Sequence, residues 1–177
     1  PGSRNTPDTV PAQATIATEP IQGEPCLFQS AYPVTLWPVT LTHAAIQAQP
    51  FTAPATASSR DAVACLQISL QTMAEDLKFA ALPCRSLRFY LKGTAQESFS
   101  RYELLMNNVV QIAAARSPDD PHPVLLPPSC LQPVGFAEDE GLLPYGPRSA
   151  LGYRLLTEYF AFPQKFLFVE LQGLGPE

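Results

Sequence analysis

Twenty prolines, scattered through all 177 residues, constrain this chain more than any other feature. Proline fixes φ and removes a backbone donor, so it interrupts helices and is confined to strand ends, edges and bulges. Dispersed prolines therefore predict a chain of many short elements. They do not suit a polyproline ligand, which needs them clustered. No internal repeat is visible. The length allows one domain with a core of its own, or at most two small ones.

Between the prolines, strand patterns dominate. Ala14 and Ile16, then Cys26 and Phe28, alternate with polar residues around a turn at Ile21-Gln22-Gly23-Glu24, which predicts a hairpin. In AYPVTLWPVTL, Val34, Leu36, Val39 and Leu41 share one side, while Pro33 and Pro38 restrict the segment to an edge or bulged strand. ACLQISLQTM at 64–73 alternates with period two and places Leu66, Ile68 and Leu70 on one face. Further strands are expected at 87–92, 109–115, 131–136 and 165–171, and a loop at 51–60.

Two helices are expected. One covers 98–107, with Phe99, Tyr102, Leu105 and Met106 near one face and Asn107-Asn108 as a left-handed cap. The other runs from an N-cap at Ser149 to about Ala161, where Pro163 stops it. Its apolar series is Leu151, Leu155, Tyr159 and Phe162. Arg154 and Glu158, four apart, are expected to pair locally. The class that follows is α+β and β-rich: a sandwich-like or curled, mostly antiparallel sheet with two short helices packed on one face or end. Residues 1–9 read as a disordered leader or cloning remnant, 10–174 as a single domain cut from a longer chain, and 175–177 as a tail.

Composition narrows the function. Charged residues make up only 15% of the chain, against 46% hydrophobic. A free-standing domain usually carries nearer a quarter charged, so a surface covered by partners is one reading and an ordinary uncharged surface the other. The net charge is −5 and the basic residues are scattered, which argues against nucleic acid and anionic membranes. No apolar run reaches membrane-spanning length. Cys26, Cys65, Cys84 and Cys130 are far apart with no ligand spacing, so no metal site is expected and reduced thiols are preferred.

Catalytic chemistry is equally thin. Ser129, His122 and Asp120 could be drawn as a triad, but they share a proline-rich loop and no nucleophile elbow exists. The acidic run Glu138-Asp139-Glu140 lacks the spacing of a calcium loop and reads as a solvated turn. Trp37 with Tyr32 admits a carbohydrate- or peptide-binding β-sandwich as an alternative, although a lone Trp beside Val and Leu is more often core. No enzyme activity and no cofactor are expected.

The ordered blocks CLF leading into AYPVTLWPVTL, then LRFYLKG, YELLMNN and LLPYGPRSALGYRLLTEYFAFPQKFLFVELQGL resemble the TssF family, baseplate subunits of the bacterial type VI secretion system. The last block, centred on 144–174, is the most specific because of its aromatic and proline placements. The resemblance spans nearly the whole chain. It implies a scaffold role in the cytoplasmic baseplate wedge, beside TssG, TssK and TssE, in support of the contractile sheath and tube. It carries no catalytic motif to transfer. Self-association remains open. Tyr145, Arg148, Tyr153 and Tyr159 are the expected contact residues or supports of a contact surface, and their alternative is burial in the core.

Overall fold

The computed structural model describes residues 6–20, 23–143, 145–146 and 150–175. Its elements run β1 Asp8–Val10, β2 Thr15–Ala17, β3 Leu27–Gln29, β4 Val34–Leu36, β5 Val39–Ala48, β6 Ala64–Thr72, β7 Ser86–Tyr90, α1 Ala95–Asn107, β8 Ile112–Ala114, β9 Val124–Leu126, β10 Leu131–Pro133, α2 Leu151–Ala161 and β11 Phe168–Gln172. Short 3₁₀ turns fill some of the gaps, the longest being Pro163–Leu167. The α+β, β-rich class is as expected. Among the described residues the strands form five small antiparallel sheets, four of two strands and one of three. The prolines explain this subdivision. Pro38 separates β4 from β5, and the two strands pair in different sheets, β4 with β1 and β5 with β6.

The hairpin read around residues 21–24 is β2–β3, in register Ile16 opposite Phe28. Gly23 takes a φ of +98°, which a glycine adopts without strain. Asp8 and Thr9, assigned to a disordered leader by sequence, open β1 and pair with Leu36 and Thr35. The long ribbon β5–β6 contains a bulge: Leu41 faces Leu70 and His43 faces Ser69, so Thr42 is the extra residue. Its hydroxyl donates to the Ser69 carbonyl at 3.1 Å.

Helix α1 starts three residues before the expected position because Thr94 and Glu97 form a capping box. The Thr94 hydroxyl accepts from the Glu97 amide, and the Glu97 carboxylate accepts from the Thr94 amide. The left-handed cap expected at Asn107-Asn108 does not form. Asn108 has φ −120°, and Asn107 donates its side-chain amide to the Glu103 carbonyl. Ser149 lies outside the described residues, and the N-cap of α2 is Ala150, without a side-chain cap bond. Pro163 ends the helix as expected. Residues 165–167, read as strand, belong instead to the 3₁₀ turn, and the strand proper begins at Phe168.

The best-packed region is the three-stranded sheet β10–β11–β7, with β11 in the centre. Its Val169 and Leu87 are buried together with Leu82, Cys84, Leu126, Val134, Phe166 and Leu167. Trp37, Val39, Leu70 and Phe89 pack against the Leu82–Cys84–Leu87 cluster. This core is small for the chain. The accessible surface is 12861 Å², whereas a compact monomer of 19.2 kDa would expose about 8,400 Å².

Candidate interaction site

Helix α2 is inside out. Its buried residues are charged: Arg154 is 5% exposed and Glu158 only 2%. Its outward residues are apolar: Tyr153 is 71% exposed, Leu156 58% and Phe160 80%. At 100° per residue, positions 153, 156 and 160 fall within one narrow stripe. Arg154 and Glu158 lie roughly opposite that stripe.

The buried charges are held by the chain on either side of α2. The Pro163–Leu167 turn reverses the backbone and brings Lys165 under the helix, where its ammonium pairs with Glu158 Oε2. Glu158 Oε1 accepts from the amides of Leu142 and Leu143, at 2.8 and 3.4 Å. Burial pushes the Glu158 carboxyl up, but the Lys165 bond and those amides outweigh it and hold the group below its ordinary range. Arg154 does not pair with Glu158. Its guanidinium donates to the carbonyls of Glu138 and Ala137, at 2.5 and 2.6 Å. The local i, i+4 pair expected from sequence is displaced because Lys165, seven residues on, offers Glu158 a buried partner. The 137–138 loop meanwhile offers Arg154 two carbonyls.

That loop, 135–143, lies over the charges like a strap. Gly135 sits at φ +100°, and a Cβ there would come within 3.2 Å of the Lys165 carbonyl oxygen. Gly141 passes so close to Arg154 that a Cβ would meet its Nη1 at 3.2 Å. Glu140, read as part of a solvated acidic turn, points inward. Its carboxylate accepts from the amides of Gly135 and Ala137 and lies 3.6 Å from Arg88. Glu138 and Asp139 are exposed, as that reading required. Arg88 also meets Glu170, its cross-strand partner, at 3.4 Å and lies 6.0 Å from the Tyr32 ring centroid.

Of the four residues singled out by sequence, Tyr153 lies in the exposed stripe. Tyr159 is 45% exposed. Its ring centroid lies 6.3 Å from that of Phe99 on α1, 5.6 Å from Phe160 and 6.1 Å from Phe166. It therefore braces α2 against α1 and the following turn. Tyr145 is half-buried, and Arg148 lies outside the described residues. Sequence reasoning missed Leu156 and Phe160, and it missed Lys165 as the partner of Glu158. The signal was available: Tyr153, Leu156 and Phe160 follow i, i+3, i+7 spacing as cleanly as the series that was read as the core face.

The residues weighed for other chemistry have local roles or separate surroundings. Asp120 accepts from the amides of Arg116 and His122, both at 2.9 Å, so it braces its own loop, and these bonds hold its carboxyl below the usual range. Among the described residues no hydrogen bond joins the His122 imidazole to Asp120 or Ser129, and no group of three or more His, Cys, Asp or Glu could hold a metal. Trp37 packs on the Leu82–Cys84–Leu87 cluster while Tyr32 lies beside Arg88, so the two have different surroundings. The four cysteines are free thiols, with Cys84 buried and Cys26 exposed. No described helix is long and apolar enough to cross a membrane.

The model of the family "Type VI secretion system, TssF" matches residues 2–177. Type VI secretion system component TssF1 of Pseudomonas aeruginosa is 40% identical over 156 residues, which cover 85% of this chain and 24% of that protein. A chain in the cryo-electron-microscopy structure of the type VI secretion system TssK-TssF-TssG baseplate subcomplex superposes with a TM-score of 0.73 at 26% identity, over 96% of this chain and 30% of its own length. The chain thus spans about a quarter to a third of the relatives it matches.

Proposed function

The chain belongs to the TssF family of the type VI secretion system, and on that premise we propose that it is a structural, non-enzymatic part of the baseplate. It acts in the cytoplasm, where the wedge supports assembly of the sheath and tube. The observation that carries this reading is the inversion of α2: three large apolar side chains face outward while three charges are buried behind them. A helix built to stand in water has the opposite arrangement. Large aromatics in a centre free of charge are the usual anchors of a protein interface.

Tyr153, Leu156 and Phe160 form the anchor stripe, Tyr159 supports it from behind, and Tyr145 and Arg148 lie on the segment leading into the helix. TssG is the partner assigned to this face, within a wedge that also holds TssK and TssE. The complex containing the structural relative supports TssG and TssK as neighbours. The test is co-purification of the intact protein with TssG after Tyr153→Ser and Phe160→Ser, which leave the core untouched. Loss of TssG with unchanged thermal stability is the expected result. Full retention of TssG removes this face from the interface. Alanine at Tyr145 and Arg148 asks the same of the approach segment.

A further inference from the structure

The ribbon β5–β6 is inverted in the same sense as α2. Cross-strand partners share a face, so Leu41, Ala44 and Ile46 lie on the same side as Leu70, Ile68 and Leu66. That apolar side is the open one. Leu41 is 55% exposed, Ile46 54%, and Leu66 and Ile68 39% each. On the other side Ala45, Gln47, Cys65, Gln67 and Ser69 are each partly covered, while Thr40, His43 and Gln71 nearer the base are exposed. The ribbon packs against the Leu82–Cys84–Leu87 cluster at its base, through Val39 and Leu70. From there it extends for about 30 Å, and among the described residues no strand pairs with either outer edge.

Charge decides between occupants. Residues 25–74 contain no Asp, Glu, Lys or Arg except Arg60 and Asp61, and these two lie in the loop beyond the ribbon's far end. Strand edges that must live in water carry lysines or inward charges to prevent pairing. Interfaces between separately diffusing subunits keep a polar, charged rim that steers and orients the encounter. A ribbon with neither has the character of half a domain core. The matched P. aeruginosa protein is about four times as long as the part this chain covers, which leaves ample polypeptide to supply the other half. We infer that the apolar face of β5–β6 is buried in the intact protein by another segment of the same polypeptide, without help from TssG, TssK or a second copy.

The experiment is maleimide labelling of the intact protein purified without other baseplate subunits, with modified sites read by peptide mass spectrometry. Ile68→Cys and Ile46→Cys report on the apolar face from the two strands, so failure of one variant to fold leaves the other. Gln71→Cys reports on an exposed position of the opposite side. Labelling at 68 and 46 slower than at 71 by at least about tenfold, and independent of protein concentration, is the expected result. Equal rates at all three positions overturn the inference, including the case in which protection appears only after TssG is added. Protection that grows with concentration overturns it in favour of a second copy. Each outcome is separate from the α2 co-purification test, since it is read at β5–β6 positions and compared with labelling before any partner subunit is added.

Discussion

Glu158→Gln would strand a buried ammonium. The amide keeps the side chain's shape and an oxygen that can still accept from Leu142 and Leu143. What disappears is the negative charge opposite Lys165. Lys165 is 1% exposed and Glu158 2%, so water cannot take the place of the lost partner. Removing one member of such a pair costs about 3–5 kcal/mol. At about 2–4 °C per kcal/mol for a chain of this size, the thermal midpoint falls by roughly 6–20 °C. A total stability of about 5–15 kcal/mol would be severely reduced. Urea unfolding followed by far-UV circular dichroism measures the loss directly. The control is Glu158→Leu with Lys165→Met, which removes both charges and roughly conserves volume. It should lose less than the single variant, because removing both charges escapes the desolvation cost, while the amides of Leu142 and Leu143, which lose their acceptor, cost about 1–3 kcal/mol. A single variant that loses less than about 1 kcal/mol, or a double variant as unstable as the single, would refute this account of how α2 is held.

Acid should destabilise the chain through the same group. The folded-state pKa of Glu158 lies below its ordinary value of 4.5, so the unfolded chain takes up the proton first. Its stabilisation is full above that value and is lost as pH falls through the depressed one. Urea titrations at stepped pH should show a shallower acid slope in the Glu158→Leu, Lys165→Met double variant. Thr94→Ala removes the side-chain half of the α1 capping box and should cost about 1 kcal/mol in the same unfolding assay. Gly135→Ala combines an unfavourable positive φ with a close approach to the Lys165 carbonyl. A loss of about 1–3 kcal/mol is expected, with faster amide exchange across 135–143.

Much of the local structure was legible because it depends on local rules. The β2–β3 hairpin, the alternation of β6 and the stop at Pro163 all follow from nearest neighbours, whereas the segment around Pro38, read as one edge or bulged strand, is divided between β4 and β5. Misplaced boundaries have local causes too, as with the Thr94–Glu97 box that lengthens α1. The candidate site was less legible for a different reason. Periodicity tells which residues share a face, but not which face turns inward. Leu66, Ile68 and Leu70 were correctly grouped, and the structure leaves the first two in solvent. On α2 the buried side is chosen by Lys165 and by the carbonyls of the 137–138 loop, partners that no i, i+4 rule within the helix can supply.

The bulge at Thr42 bears on how sequences of this family can vary in length. Along β5, the apolar residues Val39 and Leu41 have one parity, and Ala44 and Ile46 have the other. Inserting a single residue between the two pairs restores their phase, so that Leu41 and Ile46 look the same way. Deleting Thr42 would act as a half-period slip. It would rotate Val39 away from the Leu82–Cys84–Leu87 cluster, or it would turn Ile46 toward the polar side. A relative that lacks this residue must therefore shift its apolar positions by one on one side of the gap, and compensated pairs of this kind are the mark to look for in an alignment.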